Sequence, residues 1–196
     1  HLNVPSGELP FNFTGYWHFV RNNRAFAAFG GAEVFAGTNG VDEWTLISNG
    51  QPVPVDVARM TASAFELLGV SPLHGRVPTA QEDVPGGPGL VLVSERLWRS
   101  LFGSDPSIVG RSVVLNGVQR DVIAVMPQGY DFPDSRVDVW IPLQLDPAAR
   151  GGTPSIHGIA RLAPGATVES ATADAESLVA RFDEIGFGGW RNQLSG

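Results

Sequence analysis

Cysteine and lysine are both absent from this chain of 196 residues. Without cysteine there can be no disulfide, no thiolate metal site and no cysteine nucleophile. Apolar runs are also short, and none approaches the ~20 residues that a membrane-spanning helix needs. We therefore expect the chain as it stands to be soluble in water, as a segment taken from between two membrane helices would also be.

Clustered positive charge is missing as well. The formal net charge is −7 at pH 7, and the 13 basic residues, all arginine, are spread singly along the sequence. Nucleic acids and anionic lipids are bound by clustered Lys and Arg, so neither is expected as a partner. Hydrophobic residues make up 43% of the chain, which is enough for a folded domain with a substantial core.

Histidines are few, and their positions do not suggest a metal site. His1, His18, His74 and His157 lie far apart, and no two are spaced to share a helical face. A zinc site would need ligands gathered from distant segments. No metal site and no cofactor site is therefore predicted.

Two groups of carboxylates could suggest catalysis or calcium binding. Asp131, Asp134 and Asp138 lack the alternating ligands, the turn glycine and the closing glutamate of a calcium loop. Glu82 and Asp83 are adjacent in an acidic loop, where exposure to solvent is the simpler interpretation. A hydrolase that uses Asp131 or Glu82 remains the weakest of the functional alternatives.

A serine between a strand and a helix is the one position that could indicate a nucleophile. The nucleophile elbow needs glycine two residues before and two residues after that serine. Leu92 and Arg96 occupy those positions around Ser94, so an N-cap is the better interpretation. The glycine-rich loop at 86–89 lacks the Lys-Ser/Thr that completes a phosphate-binding loop. No catalytic residue is predicted.

The first third of the chain is predicted to be helical and then strand-rich. A helix is expected from an N-cap at Thr14, interrupted at residues 22–23, and continued through Phe26 and Phe29 to a stop at Gly30 and Gly31. Strands follow at 33–36, 43–48 and 53–60, with an Asn-Gly turn at 49–50. A capping box of Ser63 and Glu66 predicts a short helix that ends at Gly69.

The remainder of the chain alternates strands, helices and turns. Further elements are predicted as a strand at 90–93, a helix at Glu95–Phe102 capped by Ser94, a hairpin of 112–115 with 118–125 across Asn116 and Gly117, strands at 137–141 and Ile156–Leu162, and a helix from Thr167. The apolar stripe of that last helix is expected to comprise Val168, Ala171, Ala175, Leu178, Val179 and Phe182. Of the five tryptophans, four are expected in or near the core, and Trp190 either near a membrane interface or in a disordered tail.

Ordered motifs in the middle of the chain carry a family resemblance. They read VARMTASAFELLGVSPLHGR, VLVSERLWRSLFGSDPSIVGRSVVLNGVQRDVIAVMP, YDFP and VDVWIPL, followed later by RLAPGATVESATADAE. In order and spacing they resemble the extracytoplasmic core domain of MacB/FtsX-type ABC transporter permeases, over about residues 13–182. None of these motifs is a catalytic signature.

The resemblance implies an α+β fold with two subdomains. A porter-like α/β subdomain would be built from both chain ends, at residues 10–84 and 143–185. A small β-rich, Sabre-like subdomain would be inserted at 85–142, and residues 1–9 and 186–196 would be flexible ends.

The same resemblance implies a non-catalytic function and particular partners. The domain would lie on the periplasmic face of a bacterial inner membrane, anchored by flanking transmembrane helices. Its partners would be the rest of the permease, a second copy in a dimer, and a cytoplasmic ABC ATPase whose motion it would couple to substrate or partner handling. The two chain ends would lie close together at one face. A free secreted ligand-binding protein is the main alternative.

Overall fold

The computed structural model describes residues 10–33, 41–48, 50–152, 155–182 and 184. The helices in this part of the chain are α1 (Phe13–Asn22), α2 (Ala62–Leu68), α3 (Glu95–Phe102) and α4 (Val168–Val179), with a 3₁₀ turn at Pro106–Ile108. The strands are β1 (Phe26–Glu33), β2 (Asp42–Ser48), β3 (Gln51–Met60), β4 (His74–Gly75), β5 (Leu90–Ser94), β6 (Ser112–Leu115), β7 (Val118–Met126), β8 (Val139–Pro142) and β9 (Ile156–Leu162). The architecture is α+β, as predicted.

Six of the strands close into a ring. Along the sheet the order is β2-β6-β7-β5-β8-β3-β1-β9, and β2 also pairs with β3. Each of these six strands therefore has two neighbours within the ring: β2, β6, β7, β5, β8 and β3. The β5–β7 and β3–β8 pairs are parallel, and the other pairs in the ring are antiparallel. Closure removes the free edges that an open sheet of these strands would present.

An apolar core fills this ring. Each of the six strands contributes to one buried cluster, made of Leu46, Val55, Val57, Val91, Val93, Val113, Leu115, Val122, Val125, Val139 and Ile141. Leu97 and Trp98 of α3 join the same cluster, as does Ile108. Full burial of each such aliphatic side chain stabilises the fold by ~1.5–3 kcal/mol, so the ring is held mainly by its interior.

Four elements from the two ends of the chain form a second region, which we call the terminal layer: α1, β1, β9 and α4. Strand β1 meets the ring only where Ala32 and Glu33 pair with the end of β3. It then pairs along its length with β9. Both helices share one aromatic cluster, in which Phe19, Leu178 and Phe182 are buried.

Two adjacent glycines in β1 allow helices to pack closely on both faces of the strand. A Cβ at Gly30 would lie 2.6 Å from the backbone nitrogen of Ala64 in α2. A Cβ at Gly31 would lie 2.8 Å from the ring of Tyr16 in α1. Since neighbouring residues of a strand point to opposite faces, α1 and α2 cover opposite faces of β1.

The predicted continuation of the first helix through residues 24–29 is wrong. Helix α1 ends at Asn22, and residues 26–33 form β1. Phe26 pairs with Leu162 and Ala28 with Arg161, so a bulge occurs between Phe26 and Ala28. The bulge shifts the alternation of side chains between the two faces of β1, so the rings of Phe26 and Phe29 approach to 6.1 Å between centroids. Their three-residue spacing in the sequence is the same as that of neighbours on a helix.

Two helix caps and one stripe position also differ from the prediction. Asn12, not Thr14, caps α1 by accepting from the N–H of Gly15. Thr61, not Ser63, caps α2. Val168 is 65% exposed and lies outside the buried stripe of α4.

Other local predictions are confirmed. Helix α3 has the predicted bounds, with Ser94 as its N-cap and Gly103 ending it in a left-handed conformation. Strands β6 and β7 form the predicted hairpin across Asn116 and Gly117. Thr167 caps α4, and its side chain accepts from the N–H of Ser170.

The predicted subdomain division stays a prediction, as the ring takes strands from both of its parts. β3 pairs with β8 and β2 pairs with β6, and each of these pairs joins residues 10–84 to residues 85–142. The predicted flexible ends, the strand residues at 34–36 and Trp190 lie outside the described residues.

Candidate functional site

Two of the three aspartates in the group of Asp131, Asp134 and Asp138 are held by structural partners, while Asp131 is exposed. Asp134 pairs with Arg136 at 3.0 Å, and Asp138 pairs with Arg96 at 2.8 Å. Asp138 also accepts from the backbone N–H of Asp56. These bonds fix the start of β8 against α3 and β3, so these two aspartates stabilise the fold.

Glu82 forms a clamp with Arg76. The two guanidinium nitrogens of Arg76 lie 2.6 and 2.7 Å from the two carboxylate oxygens of Glu82. The Arg76 hydrogen bond, with donation from Thr79, lowers the pKa of Glu82 from 4.5 to about 2. A carboxylate held ionised in this way stabilises the loop and is unsuited to accepting a proton near neutral pH.

The described histidines do not come together either. His74 contacts Trp98 edge to face with ring centroids 5.1 Å apart, while His18 lies in α1 beside Phe182. Burial lowers the pKa of His18, which favours its neutral form. Among the residues that the structure describes, no three His, Asp or Glu side chains are grouped so that they could hold a metal ion.

Two clefts open on the surface of the ring. One, of about 350 Å³, lies beside the start of α3 and is lined by residues that include Glu95, Arg99, Tyr130 and Asp131. The other, of about 420 Å³, lies beside the Arg76–Glu82 clamp. The hydroxyl of Ser94 lies at the first cleft but accepts from the N–H of Leu97, as an N-cap does.

In the segment GVSPLHGR, within the first of the ordered motifs, the glycine at 75 is required by close packing. Gly75 has φ +80°, and a Cβ there would lie 1.9 Å from the carbonyl oxygen of Ile123. Its strand β4 runs against β7, where Arg76 donates its backbone N–H to Ile123. The motif therefore anchors the chain between α2 and the acidic loop onto the outside of the ring.

A partly buried group of polar side chains joins segments from four parts of the chain. We call it the junction cluster: Tyr16, Thr61, Ser63, Asp83 and Gln144. The hydroxyl of Tyr16 bonds to Thr61 and Ser63, and burial raises the pKa of Tyr16 to about 12. Asp83 accepts from the backbone N–H groups of Ala62 at 2.7 Å and of Gln144 at 2.6 Å.

This cluster connects the terminal layer to the ring. Tyr16 lies on α1, Thr61 lies between β3 and α2, and Gln144 follows β8. Thr61 also accepts from the N–H of Gly31 in β1, at 2.9 Å. Burial raises the pKa of Asp83 despite those bonds, because desolvation is the largest influence on its carboxylate.

The two described ends of the chain are in contact. The rings of Phe11 and Phe182 lie 6.5 Å apart between centroids, and both pack on Phe19 at 4.7 and 6.0 Å. The chain therefore enters and leaves this fold at one place. No helix among the described residues is both long and apolar enough to cross a bilayer.

Sequence reasoning missed the junction cluster. Its five members come from four separate segments, and only the ring closure and the packing of α1 on β1 bring them together. The expected exposure of Asp83 in the acidic loop is wrong, because its carboxylate is partly buried against the N–H groups of Ala62 and Gln144.

Comparison with known proteins agrees with these observations. The family model of the MacB-like periplasmic core domain matches residues 18–178. Comparison with the curated proteins finds no match.

Two solved structures share the fold. The periplasmic region of MacB from Actinobacillus actinomycetemcomitans is 13% identical, with a TM-score of 0.66 over 91% of this chain and 76% of that one. The extracellular domain of the noncanonic ABC-type transporter YknZ from Gram-positive bacteria is 15% identical, with a TM-score of 0.62 over 93% of this chain and 87% of that one.

Proposed function

The chain belongs to the family of MacB-like periplasmic core domains, and we propose that it couples ATP-driven motion of an ABC transporter permease to events outside the membrane. In this proposal the domain is anchored by flanking transmembrane helices on the extracytoplasmic side of a bacterial membrane. It works with a second copy and with a cytoplasmic ATPase, and it performs no chemical reaction itself.

The contact between the two described ends is the observation that carries the proposal. Phe11 and Phe182 pack on the same side chain, Phe19. Two membrane helices that flank this domain would therefore reach it at one point of the terminal layer. A displacement of those helices would act on α1 and α4 together.

The continuous sheet supports transmission of such a displacement. β1 pairs with β3 of the ring, and the junction cluster fastens α1 to the segment after β8. Packed interfaces of this kind move as units, because close-packed interiors resist gradual deformation.

The ion pairs that hold two of these carboxylates support a non-catalytic role over the hydrolase alternative. Glu82 is ionised and clamped by Arg76, and Asp138 is held by Arg96. The lowered pKa of Glu82 leaves it unsuited to exchanging a proton with a substrate near neutral pH.

Spin labelling of the full permease in membranes tests the proposal. The sequence has no cysteine, so Ser100→Cys on the exposed face of α3 gives one label in each copy of the domain, once other cysteines of the permease are removed. We expect the label-to-label distance between the two copies to differ between the nucleotide-free and ATP-bound states. An unchanged distance in a permease that hydrolyses ATP would contradict the proposal.

A further inference from the structure

One arginine at the rim of the ring lacks a counter-charge. Arg120 lies on β7 and is partly buried, with its guanidinium carbon 5.9 Å from the ring centroid of Trp44. Its Nε atom is buried and has no hydrogen-bond partner in the described part of the chain. Among the residues that the structure describes, no carboxylate forms an ion pair with it.

Arg59, on the same tryptophan, provides an internal contrast. Its guanidinium carbon lies 6.0 Å from the Trp44 centroid, but its charge is matched by Glu33 at 3.0 Å and by Asp42 at 3.1 Å. The two arginines share an aromatic neighbour and differ in whether an acid faces them.

The nearest acid in sequence does not compensate Arg120. Asp121 points to the other side of β7 and accepts from the hydroxyl of Ser112 at 2.6 Å. Desolvation of Arg120 lowers its pKa, and no opposing charge reverses that effect. A partly buried, unpaired cation is unfavourable, and an anion supplied from outside would compensate it.

Apolar surface adjoins this cation. Val118 lies two residues before Arg120 on the same face of β7 and is 50% exposed. Trp44 is itself partly exposed beside it. We call Trp44, Val118 and Arg120 the rim patch. Tryptophan and arginine are the residues most enriched at the energetic centres of protein interfaces.

We propose that the rim patch binds an acidic segment of a partner protein, with a carboxylate on the Arg120 guanidinium and an apolar side chain against Trp44 and Val118. A single planar guanidinium next to an indole matches a carboxylate with an apolar neighbour. Phosphate sites collect several donors and anionic lipid is held by clusters of basic residues, whereas this patch offers one guanidinium. The proposal goes beyond coupled motion, because it assigns a contact surface.

Peptide titration of the 196-residue chain tests this proposal without the permease. The probes are acetyl-Leu-Asp-Leu-Glu-amide and its neutral counterpart acetyl-Leu-Asn-Leu-Gln-amide. The signals are the Arg120 Nε–H and Trp44 indole resonances in nitrogen-15 spectra, assigned by their loss in Arg120→Gln and Trp44→Phe. We expect the acidic peptide to shift both resonances saturably and the neutral peptide to leave them in place.

Variants locate the site. Arg120→Gln should weaken binding of the acidic peptide at least tenfold, which corresponds to about 1.4 kcal/mol. Arg24→Gln, at an exposed arginine on the terminal layer, should leave it unchanged. Arg120→Lys keeps the charge and loses the planar fork, so it should bind more weakly than the wild-type chain. It is the variant to use where thermal unfolding shows that Arg120→Gln is not folded.

Several outcomes would overturn the proposal. Equal shifts with the neutral peptide, or equal affinity in Arg120→Gln and the wild type, would remove the role of the charge. Shifts produced by inorganic phosphate or by phosphatidylglycerol vesicles, and not by the acidic peptide, would indicate a site for free anions or lipid. Self-association in sedimentation experiments that disappears in Arg120→Gln would assign the patch to contact between copies.

Discussion

The ring and the terminal layer are stabilised in different ways. Each ring strand has two neighbours within the ring, and all six contribute to one apolar interior. In the terminal layer, β9 pairs with β1 alone among the named strands. The helices are held by two smaller clusters, one around Phe19 and Leu178 and one in which Tyr16 packs with Leu145 and Ile156. Closure thus gives one region cooperative stability, while the other depends on smaller clusters.

This difference suits a domain that receives force at one side. A closed ring cannot lose one strand without opening two pairings, whereas α4 is held by the cluster around Phe19 and Leu178 and by Asp174, which accepts from the N–H groups of Arg24 and Ala25. The junction cluster matters because it fastens the less constrained region to the more constrained one.

The largest expected effect comes from a matched pair of leucines. Leu115 in the ring is 0% exposed and Leu178 in α4 is 4% exposed. Leu115→Ala should lower the free energy of unfolding by about 2–5 kcal/mol and raise hydrogen exchange across all ring strands. Leu178→Ala should raise exchange chiefly in α4 and cost less in global unfolding. Equal loss of protection in both regions from either variant would remove the distinction.

Gly75→Ala comes next and tests how the motif strand β4 is attached to the ring. The backbone strain at positive φ costs about 1–3 kcal/mol, and the clash with the Ile123 carbonyl adds to it. Gly117→Ala is the matched control, because its φ is +79° and nothing lies within 4 Å of the added carbon. Chemical denaturation should show a larger loss for Gly75→Ala. Equal losses would mean that β4 is not tightly attached.

Asp83→Ala tests the connection between the two regions. The change leaves buried N–H groups of Ala62 and Gln144 without an acceptor, at a cost of about 1–3 kcal/mol. Asp131→Ala, at an exposed acid, should change stability by less than about 0.5 kcal/mol. Hydrogen exchange in Asp83→Ala should rise at the start of α2 and after β8. A change no larger than that of the control would show that the junction cluster contributes little.

The smallest effect concerns the clamp of Glu82 and Arg76. The pKa of Glu82 is about 2 in the folded protein against 4.5 ordinarily, so the clamp stabilises the fold above pH 4.5. This contribution is lost as the pH falls towards 2, where the carboxylate takes up a proton. The difference in thermal stability between the wild type and Glu82→Gln should therefore shrink over that interval. Solvent exposure keeps this difference in thermal stability small. When Arg76→Gln is present in both proteins, the difference should be smaller still at every pH.

Sequence reasoning succeeded where the signal was local. The Asn116–Gly117 turn, the Ser94 cap, the bounds of α3 and the start of α4 near Thr167 each depend on residues within a few positions. It also identified the family, because the ordered motifs record many such local features together.

It failed where distant residues decide the structure. The bulge between Phe26 and Ala28 exists because β9 pairs alongside, and nothing within residues 24–29 reveals that partner. The ring closes only when β2 meets both β3 and β6, and the junction cluster depends on that closure. The partial burial of Arg120 likewise depends on Trp44, which lies on another strand.

The most direct test of the account is a distance within one domain, measured in the full permease in membranes. Ser100→Cys on α3 and Ala173→Cys on α4 place one label on the ring and one on the terminal layer, both at exposed positions. With only one labelled copy in each dimer, we predict that this distance stays the same with and without ATP, since the two regions are fastened by β1 and the junction cluster. A nucleotide-dependent change in it would show that the domain bends between its two regions, which contradicts transmission as one unit.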